Sequence, residues 1–457
     1  MNFRELVAAL DSNGELLRIT KAVDSRFELP ALLSQAEARG QAVRFERVKG
    51  AEFPVVGGVL TTMRRWAIGL GQESNRFEAP NSLEQFMVDA VAQPVPAVHV
   101  AAGSVSEVVI DTADVDTTAL PAPLFFSGDS HRFISAGLGF VIDPEHGGQN
   151  VGFYRVPIVD SRTISISAGP TSDMRRIYEW HRTHGTPLQV ALVVGVAPAL
   201  QIAAAADLPA GVSDIDVAGA LQGSAIELVK CRTSDVMVPA DAELVIEVTV
   251  DLDTWVDNTM GEFGDLYGKT SSPVATIDVI THRRDAQFHV IMAGMNREHN
   301  QLGRMLGYDL RHTILSALRD RFACVHDLRV DLTPQRTGMR AQVFVSINKA
   351  LDEEPRAIID AIFALQIGRF PMSLLLQRIV IVDTDVDILD HQDVDWAIAS
   401  RMNRAAQFQV FEDQTGRGAA VTRLGLDATA PLEMRSALRR PDIPDAAQYN
   451  LDAYLSD

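Results

Sequence analysis

The stretch GEFGDLYG at residues 261–268 places two carboxylates, Glu262 and Asp265, three residues apart among three glycines. Glycine lets a backbone turn and approach a ligand closely. Two acids in different surroundings can also divide into a proton donor and an ionised partner. The same composition is typical of a solvated turn. The octapeptide therefore leaves two interpretations open, a surface turn or a pair of acids presented to a ligand.

Three further stretches carry polar side chains suited to a site. Asn150 and Arg155 lie in QNVGFYRVPIVD, where a regular strand would point them to opposite faces and a bulge near Gly152 would bring them together. Glu243 opens a strand after the Pro-Ala-Asp turn of MVPADAELVIEV, where a carboxylate can reach a metal ion. Arg423 in AAVTRLGLDATAPL suits a phosphate. Taken singly, each residue also fits an ordinary surface position.

The elements that must position these residues change character along the chain. Residues 1–105 alternate helical patterns with short apolar runs, as in an α/β unit, and residues 106–296 are dominated by β-branched runs typical of an antiparallel sheet or barrel. Two helices interrupt that part. TSDMRRIYEWHRTHG is predicted to begin at an N-cap Ser172 or Thr171 and to end at Gly185, and SDIDVAGALQG is the second helix.

The remaining third of the chain returns to an α/β pattern. We predict one long helix over residues 297–322, an α/β domain over 323–425 and a C-terminal arm over 426–457. The apolar strand RIVIVDTDVDI and the helix RAIIDAIFALQ predict more apolar surface than one subunit covers, and hence a homodimer or a multiple of dimers.

Composition excludes several classes of protein. The net charge of −19, from 41 basic and 60 acidic residues, argues against nucleic acid or an anionic membrane as the main partner. The two cysteines, Cys231 and Cys324, are too few for a disulfide framework or a zinc site, which predicts a reduced, cytoplasmic protein. The sequence contains no apolar run of the length of a membrane span.

In their order along the chain, these motifs are similar to the UbiD family of decarboxylases, which use prenylated flavin mononucleotide (prenylated FMN). The resemblance runs from FRELVAALDSNGELLRI to RLGLDAT, and its most specific parts are VKCRTSDVMVPADAELVIE, EFGDLYG and VDILDHQDVDWAIASR. It implies an α/β plus β fold, with an N-terminal α/β part, a central split β-barrel that binds the flavin, a linking helix, and a C-terminal α/β domain that forms the dimer.

The resemblance also implies roles for individual residues. Arg155 matches the active-site arginine of the family, and Asp265 matches its final acid, the proton donor. Asn150 and Glu243 match two ligands of a divalent cation, usually manganese, that ties the cofactor phosphate to the protein. Arg423 matches a phosphate-contacting residue, and a potassium ion held by carbonyl groups is usual nearby.

Two departures from the family pattern concern the same site. Relatives often read Glu-Gly-Pro-Phe-Gly-Glu/Asp, whereas this chain has Met260 in place of the first glutamate and Glu262 in place of the proline. Either Glu262 pairs with Arg155 instead, or the network of acids is altered. Asp173 stands where relatives place a histidine ligand, and its oxygens suit manganese or magnesium.

The implied activity is reversible, non-oxidative decarboxylation of an aromatic acid, with carbon dioxide as the other product and a flavin prenyltransferase as cofactor supplier. We expect a heteroaromatic acid such as an indole, pyrrole or phenazine carboxylate, with Phe153 and Tyr154 as walls for a flat ring. The alternatives are a phenolic or cinnamate-type acid, or a flavin-binding protein without decarboxylase activity. His299 is either a substrate contact or a histidine hydrogen-bonded at a helix start.

Overall fold

The computed structural model of the chain describes residues 1–169, 172–261, 267–294, 296–332, 341–367, 370–371, 376–413, 421–438 and 440–441. The chain divides into two compact units, residues 1–309 with 332–339, and residues 310–331 with 340–457. Among the helices of the described ranges, none has both the length and the hydropathy of a membrane span.

The helices of the described residues are mostly short. They are α1 Phe3–Ser12, α2 Glu28–Ala38, α3 Met63–Gly69, α4 Ser82–Ala92, α5 Asp173–His184, α6 Pro198–Ala204, α7 Asp214–Gln222, α8 Arg297–Gly303, α9 Leu310–Arg319, α10 Glu354–Phe363 and α11 His391–Arg401.

The strands range from two-residue pairs to a long hairpin. They are β1 Leu16–Ile19, β2 Ala42–Phe45, β3 Val55–Gly57, β4 Val98–His99, β5 Val108–Asp111, β6 Phe133–Ile134, β7 Leu138–Ile142, β8 Gln149–Phe153, β9 Val156–Pro157, β10 Thr163–Ser165, β11 Leu188–Val194, β12 Glu227–Lys230, β13 Met237–Pro239, β14 Leu244–Gly261, β15 Tyr267–His282, β16 Phe288–Val290, β17 Val325–Asp331, β18 Ala341–Ile347, β19 Gln366–Ile367, β20 Phe370–Pro371, β21 Leu376–Asp383, β22 Phe408–Asp413 and β23 Val421–Ala428.

A small mixed sheet opens the first unit. Its strand order is β1-β2-β3-β16, with β1 parallel to β2, β3 parallel to β16, and β2 antiparallel to β3. Helix α1 forms because its apolar residues recur at helical spacing and its N-terminus is closed by a capping box between Asn2 and Glu5. Phe3, Leu6 and Leu10 of this helix are buried. This part has the α/β character predicted from the sequence.

The central sheet of the first unit is antiparallel. Its order is β10-β15-β14-β11-β7-β8, and β5 pairs with β15. Strands β14 and β15 form a long hairpin that is paired as far as Gly261 and Tyr267. Glu262 and Asp265 lie between these two residues, outside the described part of the chain. The octapeptide is therefore flanked on both sides by paired strand.

Helices α5 and α7 lie in this central part and begin and end as predicted. The side chain of Ser172 accepts the N–H of Arg175 at 3.3 Å, and α5 ends at Gly185 with φ 63°. Helix α7 is capped by Ser213 and ends at Gly223 with φ 74°. Serine satisfies free N–H groups at a helix start, and glycine accepts the left-handed conformation at its end.

The second unit contains a five-stranded sheet in the order β17-β18-β21-β23-β22. Strands β18, β21 and β23 are parallel, and β17 and β22 pair antiparallel at the edges. Residues 379–382 of β21 are fully buried, and so are the inner residues of α10. The unit itself covers this apolar surface, so these two elements no longer indicate a dimer interface.

The prediction of one long helix over residues 297–322 is wrong. The segment consists of α8, a 3₁₀ turn over Arg304–Gly307, and α9. Gly303 and Gly307 lower the helix propensity at the break. The boundary between the two units also falls inside this segment, between Asp309 and Leu310. Strand β23 continues to Ala428, past the predicted start of the C-terminal arm at 426.

Candidate active site

Arg155 lies just after β8, where the chain leaves the central sheet. Its carbonyl accepts the N–H of Ser167 at 2.9 Å, in an isolated antiparallel bridge. His299 of α8 is its neighbour: burial lowers the pKa of His299 to about 4, and the positive charge of Arg155 adds to the shift. His299 Nδ1 lies 3.4 Å from the carbonyl oxygen of Gly294. A guanidinium and a neutral imidazole therefore stand together at neutral pH.

Asn150 lies in β8, level with Val141 of β7. Its Nδ2 donates to the hydroxyl of Tyr154 at 3.1 Å. Tyr154 is buried against Gly139, where an added Cβ would lie 2.7 Å from the ring, so only glycine leaves room for it. Of the two alternatives for this stretch, the regular strand is the one observed, because the β7–β8 ladder runs without a bulge from Gln149 to Phe153.

Asp173 and Asp214 lie near the Tyr154–Asn150 pair. Burial raises the pKa of Tyr154, and the charges of both aspartates add to that shift. Asp214 Oδ2 accepts the N–H of Val151, the residue after Asn150, at 3.3 Å. Burial raises the pKa of Asp214 to about 7, and the charge of Asp173 contributes. The fold therefore gathers one amide and two carboxylates around Tyr154.

This set of groups fits a divalent cation beside a phosphate. Asp173 is the first residue of α5 and Asp214 the first residue of α7, and helix N-termini attract anions through their free N–H groups and dipole. Two neighbouring carboxylates repel each other, and a bound cation would relieve that repulsion. The described residues contain no group of three or more His, Cys, Asp or Glu arranged for a metal. The amide of Asn150 would therefore complete the oxygen ligands.

Glu243 has other partners. Its carboxylate is fully buried and accepts Nε of Arg4 at 2.7 Å, Nη2 of Arg4 at 2.9 Å and the N–H of Gln287 at 2.8 Å. A buried carboxylate held in this way is a structural ion pair.

Register also separates Glu243 from Asn150. Phe140 of β7 is level with Ala191 of β11 and with Glu247 of β14. Along the strands, Asn150 of β8 lies beyond this level in one direction. Glu243 lies in the other direction, just before the first residue of β14. The offset along the strands alone is roughly 15 Å. The structure therefore contradicts the predicted role of Glu243 as a cation ligand and as a cofactor contact.

Asp214 was missed at the level of sequence. It occupies the first helical position after the N-cap Ser213 in the predicted helix SDIDVAGALQG. An acid at that position is ordinary, since it complements the helix dipole. The signal available was that two predicted helices, α5 and α7, both begin with an aspartate after a serine.

Met260, the residue predicted to stand in place of the family glutamate, is buried in the hairpin. Its side chain is 2% exposed, and Met260 pairs with Gly268 across the hairpin. The next residue, Gly261, donates its N–H to Asp129 Oδ1 at 2.8 Å. Because Glu262 and Asp265 lie outside the described residues, their roles stay predictions.

Arg423 belongs to the second unit. It lies in β23 opposite Phe411, and its side chain is 4% exposed. Its role as a phosphate contact stays a prediction.

Comparison with known proteins places these features in a family. Three domain models of the 3-octaprenyl-4-hydroxybenzoate carboxy-lyase (UbiD) family match this chain. The N-terminal domain model matches residues 7–79, the Rift-related domain model residues 97–296, and the C-terminal domain model residues 305–428. An evolved dimeric form of the UbiD-class enzyme HmfF from Pelotomaculum thermopropionicum, in complex with prenylated FMN, is 31% identical with a TM-score of 0.81. The match covers 99% of this chain and 100% of that one.

More distant structures share the fold. The vanillic acid decarboxylase of Sedimentibacter hydroxybenzoicus is 22% identical with a TM-score of 0.80, over 97% of this chain and 95% of that one. The 3,4-dihydroxybenzoic acid decarboxylase of Klebsiella pneumoniae is also 22% identical with a TM-score of 0.80, over 98% and 99%. With the family models matching most of its length, this chain belongs to the UbiD family of carboxy-lyases.

Proposed function

We propose that this chain catalyses the reversible, non-oxidative decarboxylation of a heteroaromatic carboxylic acid with prenylated FMN. The observation that carries the proposal is that Asn150, Asp173 and Asp214 all act on Tyr154, the residue before Arg155: Asn150 by a hydrogen bond and the two aspartates by their charge, with Asp214 also bonded to the N–H of Val151. The HmfF structure that is 31% identical to this chain contains prenylated FMN, which supports the choice of cofactor.

The cofactor phosphate is proposed to bind through a divalent cation. Asn150, Asp173 and Asp214 would hold manganese or magnesium, since amide and carboxylate oxygens are the donors these hard cations prefer. The N–H groups at the start of α5 and α7 favour the phosphate. A potassium ion on backbone carbonyls completes the proposed set.

The residues of this chain then divide the chemistry. When bound, prenylated FMN supplies a sink for the electrons that remain as carbon dioxide departs. Arg155 is proposed to grip the substrate carboxylate with its planar fork, which gives two parallel hydrogen bonds. Asp265 is proposed to return a proton to the ring carbon. Glu262 is proposed to be the ionised partner of Arg155.

His299 supports the heteroaromatic class. With its pKa lowered to about 4, it is neutral at neutral pH; its Nδ1–H faces the carbonyl of Gly294, so Nε2 is the acceptor atom of the ring. The ring N–H of a pyrrole or indole acid is a donor that suits such an acceptor. A phenolic acid carries its polar group outside the ring and makes less use of this neighbour. Tyr154 is engaged with Asn150, so Phe153, which is half-buried, is the remaining aromatic candidate for a wall of the pocket.

A substrate panel tests the proposal. Protein produced with a flavin prenyltransferase would be assayed for carbon dioxide release from pyrrole, indole and phenazine carboxylates, and from hydroxybenzoate and cinnamate. We expect faster turnover of at least one heteroaromatic acid. Faster turnover of hydroxybenzoate or cinnamate would favour the alternative that the substrate is a phenolic or cinnamate-type acid. Full cofactor loading without carbon dioxide from any acid would leave a flavin-binding protein.

The proposed partners are few. They are the acid substrate, carbon dioxide, the prenyltransferase that supplies the cofactor, and a second copy of this chain. The net charge of −19 argues against nucleic acid as the main partner. A cytoplasmic location is part of the proposal.

A further inference from the structure

Arg176 of α5 lies next to the proposed cation site and touches three carboxylates. Its Nη2 donates to Asp173 Oδ1 at 3.1 Å, one helical turn back along α5. Its Nη1 donates to Asp143 Oδ1 at 3.1 Å and to Glu145 Oε2 at 2.5 Å, and Nη2 also bonds Asp143 Oδ2. One guanidinium therefore connects Asp173 to the turn between β7 and β8.

Asp143 is itself held firmly. It is 7% exposed and accepts the N–H groups of Glu145 at 3.0 Å and His146 at 3.2 Å, with His146 Nδ1 also at 3.2 Å. Although burial opposes ionisation, the hydrogen bonds from Arg176, Glu145 and His146 keep the pKa of Asp143 below its usual range. The paired contact of Arg176 with both oxygens of Asp143 is the geometry in which arginine is most specific.

Groups that hold a metal ligand through its other atoms orient that ligand, and their loss typically weakens metal binding ten- to a hundredfold. Arg176 also offsets the negative charge of Asp143, Glu145 and Asp173.

We propose that Arg176 is a positioning residue of the cation site: anchored on Asp143, it fixes one oxygen of Asp173 and so orients this aspartate toward the cation. The inference rests on the proposed cation site and specifies how Asp173 would be held in the orientation of a ligand. Arg175, the adjacent residue, is a matched control, since it pairs with Glu179 and lies over the ring of Trp255.

The test is manganese affinity rather than turnover. Holoprotein would be dialysed against Mn2+ and the free ion followed by electron paramagnetic resonance. We expect Arg176→Gln to weaken Mn2+ binding about ten- to a hundredfold, and Arg175→Gln to leave it unchanged. Equal affinity of Arg176→Gln and the parent would overturn the proposal.

A double-mutant cycle separates positioning from general support of the fold. In an Asp173→His background the imidazole has no carboxylate to receive the guanidinium, so Arg176→Gln should then cost less than about threefold. The same loss in both backgrounds would overturn the proposal. Arg176→Lys, which cannot bridge two carboxylates with a planar fork, would replace Arg176→Gln in the cycle if the latter does not fold, with the same expected pattern. Asp214→Asn with parental Mn2+ affinity would instead refute the cation site itself, whatever Arg176 does.

Discussion

At the residue scale, the replacement of a glutamate by Met260 is the feature that most distinguishes this site. A buried methionine can neither pair with Arg155 nor hold a proton. The work of the missing acid then falls to Glu262, or the enzyme functions with Arg155 and Asp265 alone. Both alternatives keep Asp265 as the proton donor, so they differ only in the effect of changing Glu262.

Three substitutions test these roles, two of them common to both alternatives. Asp265→Asn should bind the cofactor normally and lose turnover by at least about a hundredfold, the scale for removing a general acid. Arg155→Lys should lose most activity, because lysine cannot form the paired contact with a carboxylate. Steady-state decarboxylation with cofactor content determined from the absorption spectrum is the measurement.

Glu262→Gln is the discriminating variant. A loss comparable to that of Asp265→Asn means that Glu262 has taken the place of the missing glutamate. Parental activity of Glu262→Gln with an inactive Asp265→Asn would show a two-residue core. An active Asp265→Asn would contradict both alternatives.

The buried Glu37 should make the stability of the fold depend on pH. Its Oε2 accepts the N–H of Arg297 at the start of α8, and burial together with the charge of Glu298 raises its pKa from 4.5 to about 8. The unfolded chain loses this proton near pH 4.5, whereas the folded protein keeps it to about pH 8. The folded state therefore binds more protons in that window, and stability falls as pH rises through it.

Replacing Glu37 by Gln removes this proton, so the free energy of unfolding should fall less steeply with pH, by about 1.4 kcal/mol per pH unit. Urea unfolding followed across the window measures it. The exposed Glu52→Gln is the control and should keep the parental slope. An unchanged slope in Glu37→Gln would show that Glu37 is ionised in the folded protein.

At the element scale, the parts that could be predicted are those whose cause is local. The N-cap Ser172 and the C-terminal Gly185 of α5 are adjacent to the helix they bound, and the apolar, β-branched runs of β11 and β14 are visible in single segments. The break at Gly303 and Gly307 is local as well, but an apolar pattern that continues past it masked the effect of the glycines.

Contacts between distant parts of the chain could not be predicted. Arg4 and Glu243 are 239 residues apart in sequence, and nothing around Glu243 indicates that an arginine from α1 neutralises it. Asp214 and Asp173 are 41 residues apart in sequence, and they come near each other only in the folded chain, where Asp214 accepts the N–H of Val151 in β8 and both aspartates act on Tyr154. The family resemblance supplied Asn150 and Asp173, whereas Asp214 required the structure.

The Arg4–Glu243 pair should matter for stability and not for cofactor binding. Glu243→Gln leaves a partly exposed arginine with a neutral partner, so we expect a loss at the lower end of the roughly 3–5 kcal/mol typical of breaking a buried pair. Asp285→Asn, whose exposed carboxylate pairs with the same arginine, should cost less than about 1 kcal/mol. Urea unfolding measures the loss of stability in the two variants. Equal losses would contradict the assignment of Glu243 as the buried structural partner of Arg4.

At the scale of the whole molecule, the expected dimer needs a surface other than the buried strand β21 and helix α10. Strand β22 is an edge of the five-stranded sheet, and Phe408 and Val410 on it are 52% and 61% exposed. Exposed apolar side chains on an unpaired edge are a typical site of association. We therefore predict that the contact of a homodimer would lie at β22.

Val410→Lys should shift the protein from dimer toward monomer, because burying the lysine in an interface is costly. Size-exclusion chromatography with light scattering is the measurement. Leu351→Lys changes a residue of similar exposure, 54%, away from this edge and should leave the dimer intact. A monomeric parent would refute the dimer, and a dimeric Val410→Lys would move the contact elsewhere.

The central claim is that Asn150, Asp173 and Asp214 hold the cation that binds the cofactor, and its most direct test is the manganese and prenylated FMN content of Asp214→Asn protein. We predict that this variant loses both together, because the cation joins the phosphate to the protein. Asp216→Asn, on the same turn of α7, and Glu243→Gln should retain both. Parental manganese and cofactor in Asp214→Asn, or their loss in Glu243→Gln alone, would contradict the account.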